Sequence, residues 1–155
     1  MIKKHYGYYE SELGTIEIIT SDDSVLSITF VEERKEEKEK PEILKQALAQ
    51  IKEYFEGKRK EFNLKIDFVG TDFQKKVWNE LLNISYGQTV SYKHIAVKIG
   101  NEKAVRAVGT TNGKNKISIV VPCHRVIGSN GKLTGYAGGV HRKEWLINHE
   151  NKNSN

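Results

Sequence analysis

The chain has 155 residues, of which 37% are hydrophobic and 29% charged, with a formal net charge of +5 and one cysteine. That length suits one domain or two small subdomains sharing a core, and the composition is that of a folded globular chain, which excludes wholesale disorder. A lone cysteine excludes a disulfide framework and a multi-cysteine zinc site, and no stretch has the length of a secretory or membrane-spanning segment, so a soluble cytoplasmic protein is expected.

The first elements read as a β-meander. Tyr6 to Ser11, Thr15 to Thr20 and Val25 to Val31 are β-rich runs separated by Leu13-Gly14 and by Ser21 to Ser24. The nine residues Glu32 to Lys40 carry only charged side chains and read as a solvated connection. After Pro41, the positions Leu44, Ala47, Leu48, Ile51, Tyr54 and Phe55 recur at helical spacing until Gly57, which predicts an amphipathic helix. Phe62, Leu64, Ile66 and Phe68 alternate with polar residues and predict a further strand joining the meander.

At Thr71 the pattern changes. Thr71 with Gln74 matches a capping box, and Phe73, Val77, Trp78, Leu81 and Leu82 give one apolar helical face. The boundary is therefore set at Val69-Gly70, between an N-terminal α+β scaffold (1–69) and a C-terminal domain (70–155). Charge divides at the same place: residues 1–69 hold 12 basic and 15 acidic side chains, whereas residues 70–155 hold 13 and 5. A strongly basic half is the electrostatic footprint expected of a polyanion partner, because phosphate neutralisation releases counterions.

Tyr86-Gly87-Gln88 breaks the core helix, and Ser91 caps a short one faced by Ile95, Ala96 and Ile99. Gly100-Asn101 is expected to end that helix and cap the next, Glu102 to Thr111. Two short helices about a glycine turn make a helix-turn-helix candidate for DNA binding. Within the second, Arg106 stands among Ala104, Ala107 and Gly109, small residues that permit close backbone approach to a groove. Ile117 to Val121 reads as a buried strand or extended segment delivering Pro122-Cys123-His124-Arg125, and Gly128 to Gly139 as an irregular loop. A helix from about His141 to His149, with Trp145, Leu146 and His149 near one face, and a fraying tail from Asn151 close the chain.

A thiol followed by an imidazole and a guanidinium sits in an environment that lowers a thiol pKa, so Cys123 is the candidate nucleophile and His124 its candidate base. On an extended segment adjacent side chains point to opposite faces, so His124 must act through a turn at Cys123 or a bridging water. A carboxylate beyond it must come from the five acids of the basic half, and Glu150, just past the last helix, is the one favoured.

Taken together, Gly87 to Tyr92, Ala104 to Gly109, Val121 to Val126, Gly135 to Gly139 and Glu144 to Glu150 resemble the O6-alkylguanine-DNA alkyltransferase family in order and spacing. The resemblance spans about residues 70–150 and implies an α+β fold: a small antiparallel-sheet, ribonuclease-H-like subdomain, then a mainly helical domain with a winged or helix-turn-helix motif. It implies repair by direct reversal, in which the damaged guanine of a DNA duplex is flipped out and its alkyl group passes irreversibly to Cys123. In that scheme His124 draws the thiol proton through water and Glu150 orients the relay. Arg106 fills the space left by the base, on a minor-groove helix that also presents Ala104, Ala107 and Gly109. Tyr92 rotates the phosphate and donates to guanine N3, and the Ala137 N–H donates to O6. The Cys123 and Val126 carbonyls accept from the exocyclic amine, Tyr136 walls the pocket and Gly138 borders it. Asn115 ties the helix to the active-site turn. No metal, no cofactor and no membrane are expected, and the protein is expected to act as a monomer on duplex DNA carrying O6-alkylguanine.

Three departures bear on this. Many relatives carry Ser where this chain has Ala137, prolines where it has Lys116 and Ser118, and some bind zinc through N-terminal Cys and His where it offers only His5. Two other classes of function remain open: a non-enzymatic lesion-binding or regulatory helix-turn-helix protein, for which Cys123 would be dispensable, and a cysteine hydrolase, which would turn over an ester or amide without DNA.

Overall fold

A computed structural model describes residues 2–154, and the chain divides into two compact units between Phe68 and Val69. In the first, β1 (His5–Ser11), β2 (Gly14–Thr20) and β3 (Val25–Val31) form one antiparallel sheet in sequence order. Tyr9 pairs with Ile16 and Ile18 with Ile28, which places Ile16, Ile18 and Ile28 together in the core. Helix α1 (Glu42–Phe55) covers the sheet with Leu44, Ala47, Ile51, Tyr54 and Phe55. It packs close because β1 has glycine at position 7, where a Cβ would sit 3.0 Å from the Leu44 and Leu48 methyls.

The strand expected over 60–68 does not form a ladder. Its apolar residues do alternate in burial, but only Ile66 bridges β3, in parallel, through Val25. The backbone of the segment is instead latched by a side chain: Gln50 on α1 donates to the Asn63 carbonyl (3.1 Å) and accepts from its N–H (2.9 Å). The charged run 32–40 is irregular, as read, and is tied down where the Lys35 N–H donates to the Tyr8 hydroxyl (2.8 Å).

The second unit is built from α2 (Asp72–Leu81), a two-residue strand β4 (Val90–Ser91), α3 (Tyr92–Lys98), α4 (Val105–Gly113), β5 (Val126–Ile127) and α5 (Val140–Lys152). Both halves of the Thr71/Gln74 capping box are present at the start of α2, whose Val77, Trp78 and Leu81 are buried; Leu82 lies past its end and is 43% exposed. The Trp78 indole donates to the Thr111 carbonyl (3.0 Å) and so joins α2 to α4. Ser91 caps α3 by accepting from the His94 N–H. Asn101 does not cap α4: its side chain makes no capping bond, and a 3₁₀ turn over Glu102–Ala104 leads into the helix instead. The helix also runs through Asn112 to Gly113, two residues beyond the expected stop.

Residues 117–121 are neither strand nor extended. Val120 N–H donates to Ser118 O (2.8 Å) and Val121 N–H to Ile117 O (3.0 Å), which folds the segment into a buried turn with Ile119 at φ 73°. A β-branched residue in the left-handed region is strained, so the turn depends on its surroundings to persist. Helix α5 extends past the expected end to Lys152, with the Ser154 hydroxyl bonded to the Glu150 carbonyl, so Glu150 lies inside the helix and the tail does not fray at Asn151. Among the described residues no helix is long and apolar enough to cross a membrane.

Candidate active site

The second unit supplies a buried cluster from three places in the chain. Strand β5 pairs in parallel with β4, Val90 opposite Val126 and Ser91 opposite Ile127. That pairing sets the start of α3, and hence Tyr92, beside the turn that carries the thiol. Cys123, His124 and Arg125 form one 3₁₀ turn rather than an extended run, so they do not alternate across two faces; all three are buried.

Helix α5 meets this turn with Glu150, which is 1% exposed. Its Oε2 accepts from His124 Nε2 (2.7 Å) and Arg125 Nη2 (3.0 Å), and its Oε1 accepts from Arg125 Nε (2.8 Å) and the Gly87 N–H (3.2 Å). Burial alone would raise this carboxyl, but its bonds to His124 and Arg125 outweigh that and hold it well below the usual carboxylate range. With Nε2 donating to Glu150, the His124 tautomer leaves Nδ1 as acceptor, and that buried atom makes no hydrogen bond among the described residues. Burial pushes the imidazole down, so it is neutral at pH 7 despite the carboxylate beside it.

The thiol departs from expectation. Burial pushes Cys123 up rather than down, and the groups that pull it back are the Asn115 amide, the charge on Lys143 and the backbone N–H groups of Cys123 and His124. Arg125, two positions on in sequence, is not among them, its charge being committed to Glu150.

The missed cation is therefore Lys143. It lies fully buried on α5, donates from Nζ to the Thr134 carbonyl (2.7 Å) and stands 3.5 Å from the Tyr92 hydroxyl; burial brings its pKa down to about 8. Its spacing held the signal: 143, 146 and 150 fall on one helical face, and Lys143, Leu146 and Glu150 are the buried residues of α5. Of the three residues read as near one face, Leu146 is buried, while Trp145 and His149 form a stacked pair, 4.7 Å between ring centroids, with both rings half-buried.

Asn115 is buried and spans the strained turn, donating to the Val121 carbonyl (2.9 Å) and accepting from the Ile117 N–H (3.0 Å). A second amide, Asn112 on α4, went unnoticed in the sequence and donates to the Cys123 carbonyl (3.2 Å). That carbonyl also accepts the Val126 N–H, so both of its lone pairs are engaged. Val126 and Tyr136 are buried, and burial pushes the Tyr136 hydroxyl strongly up; Ala137 is exposed and Gly138 half-buried, its carbonyl accepting from Arg142 (3.0 Å). Tyr92 donates to Thr134 O (3.1 Å).

Of the residues expected to serve DNA binding, Tyr92 and Asn115 belong to this cluster, whereas those of α4 lie outside it. Arg106 and Ala107 are exposed on α4 and Ala104 is half-buried at its start. Gly109 turns toward the Tyr92 ring, where a Cβ would lie 3.7 Å from Cδ1, so it faces the tyrosine and not the open surface.

The chain is similar to known proteins along nearly its whole length. Residues 72–152 match the family described as 6-O-methylguanine DNA methyltransferase, DNA binding domain, and residues 4–68 match 6-O-methylguanine DNA methyltransferase, ribonuclease-like domain. The methylated-DNA--protein-cysteine methyltransferase of Methanosarcina acetivorans is 44% identical over 149 residues, covering 92% of this chain and 96% of that one. Among solved structures, the Mycobacterium tuberculosis O6-methylguanine methyltransferase superposes with a TM-score of 0.89 at 41% identity, over 97% of this chain and 94% of that one. Mycobacterium tuberculosis OGT in complex with DNA superposes with a TM-score of 0.88 at 42% identity, over 96% and 94%.

Proposed function

The chain belongs to the 6-O-methylguanine DNA methyltransferase family, and we propose that it repairs duplex DNA by moving the alkyl group of O6-alkylguanine onto Cys123. The observation that carries this reading is the buried connection from the Cys123 turn through His124 to Glu150, at 2.7 Å. A neutral imidazole with a free acceptor nitrogen, oriented from behind by a carboxylate, is what an otherwise unreactive buried thiol requires. His124 Nδ1 draws the thiol proton through a water. The sulfur then attacks the alkyl carbon, the carbon–O6 bond breaks, and its electron pair returns to the guanine, which takes up a proton from Tyr92 at N3. The product is a thioether on Cys123, so each molecule acts once.

Lys143 holds the thiolate and Tyr92 at the same time, and Asn112 and Asn115 fix the turn beneath them. The Ala137 N–H serves guanine O6, the Val126 carbonyl takes the exocyclic amine, and Tyr136 with Gly138 bounds the pocket. Since both lone pairs of the Cys123 carbonyl are engaged, Val126 carries the amine contact without it. Arg106 enters the stack in place of the flipped base, on the helix that also presents Ala104 and Ala107. Residues 1–69 serve as scaffold and residues 70–155 as the DNA-binding and acceptor domain, working as a monomer in the cytoplasm.

Incubation with duplex carrying O6-methylguanine tests this: one methyl mass should appear on the Cys123 peptide, once per molecule. Repeated turnover, or transfer that persists in Cys123→Ala, would overturn it. Duplex binding without any label would return the lesion-binding alternative.

A further inference from the structure

The sequence marks Arg125 as one of two cations beside the thiol, yet the structure turns its charge elsewhere. The guanidinium is 6% exposed, and all three of its nitrogens are engaged: Nε and Nη2 on the two oxygens of Glu150, and Nη1 on the Ile84 carbonyl (2.6 Å). Its plane also lies against the Tyr86 ring, 5.6 Å from the centroid. A side chain held at four points, with no route to the reacting atoms, contributes through what it holds.

Building on the function proposed above, we infer that Arg125 is a positioning residue for alkyl transfer: its fork locks Glu150 in the orientation that accepts from His124 Nε2 and neutralises that carboxylate, so the imidazole stays uncharged and ready to receive the Cys123 proton. A buried carboxylate 2.7 Å from an imidazole would by itself draw a second proton onto the pair, which would leave Nδ1 as a donor unable to take the thiol proton. Arg125 supplies the compensating positive charge without occupying the imidazole. The remaining charged and titratable groups about His124 are Glu150 and Lys143 from α5 and Cys123 from its own turn; Tyr86 and Tyr136 act on Glu150 from the connections before β4 and before α5. Lys143 opposes protonation of His124 as Arg125 does, but it makes no bond to Glu150 and cannot orient it.

The test is the pH dependence of single-turnover methyl transfer to Cys123 in wild type, Arg125→Gln and Arg125→Lys, with affinity for undamaged duplex measured alongside. In Arg125→Gln the His124–Glu150 pair should take up its proton at higher pH. The acidic limb should move up by about one pH unit, so the rate falls about tenfold along that limb and by no more than about threefold at pH 7, recovering toward wild type at pH 9 with duplex affinity unchanged. Arg125→Lys keeps the charge and loses the fork: its limb should stay in place while its rate drops at every pH. A glutamine variant whose profile runs parallel to wild type would overturn the inference. Should that variant fail to fold, ¹⁵N chemical shifts of His124 in the unaltered protein decide the matter, since an imidazole protonated at pH 7 contradicts it and a neutral one supports it. Failure of the wild type to label Cys123 at all would count against the proposed function, and the ¹⁵N measurement would still judge Arg125.

Discussion

Replacing Lys143 by Met should make the protein more stable and slower at the same time. The ammonium is fully buried, and the fall of its pKa from 10.5 to about 8 corresponds to about 3 kcal/mol against the charged form at neutral pH. Met fills a similar volume without that cost, and the Thr134 carbonyl keeps a donor in Tyr92 (3.1 Å). Part of the gain is lost to imperfect packing, so the net increase at pH 7 should be about 2 kcal/mol, or a Tm rise of roughly 4–8 °C. The sign of the pH dependence is fixed. Below about pH 8 Lys143 is charged in both states and the full penalty applies; between about 8 and 10.5 the folded state releases its proton first, so wild type gains stability with pH and the gap to the variant closes. Loss of the charge also removes one of the groups that lower the Cys123 thiol. Methyl transfer at pH 7 should fall about tenfold and recover when the pH is raised by about one unit. Calorimetric melts from pH 6 to 10.5 and single-turnover transfer over the same range read both effects. A Met variant that melts lower at pH 7, or a stability gap that does not change with pH, would refute the electrostatic reading of this residue.

Three further expectations concern other elements. Thr71→Ala removes one half of the α2 capping box and should cost about 1 kcal/mol, seen as a Tm lower by roughly 2–4 °C with transfer unaffected. Trp78→Phe keeps an aromatic side chain but removes the five-membered ring of the indole and with it the 3.0 Å bond to the buried Thr111 carbonyl; chemical denaturation should show a loss of about 2 kcal/mol. Arg106→Ala changes an exposed side chain, so the melt should move by no more than about 0.5 kcal/mol, while transfer from duplex falls at least tenfold and transfer from free O6-benzylguanine base is unchanged.

Elements fixed by local chemistry could be read directly. The Thr71/Gln74 box, the Ser91 cap and the periodic face of α1 each need only neighbours within one turn, and all three are present. What escaped depends on partners distant in the chain. Phe62 to Phe68 alternates like a strand, but whether it pairs is settled by Gln50 holding Asn63 from α1. Ile117 to Val121 has strand composition, yet the side chain of Asn115 supplies bonds that a neighbouring strand would have made, and the segment curls. Composition likewise assigned Arg125 to the thiol because only His124 separates the two, whereas the carboxylate that claims it stands 25 positions away. Lys143 was passed over because a lysine on a terminal helix ordinarily faces water, and only the packing of α5 on the Cys123 turn buries it.

The four donors gathered by Glu150 make the imidazole of the site depend on a helix remote from it in the chain. With α5 displaced, His124 has no carboxylate behind it and Arg125 loses two of its three hydrogen bonds. Loosening that one helix is therefore enough to disconnect the His124–Glu150 pair while leaving the thiol turn itself unaltered.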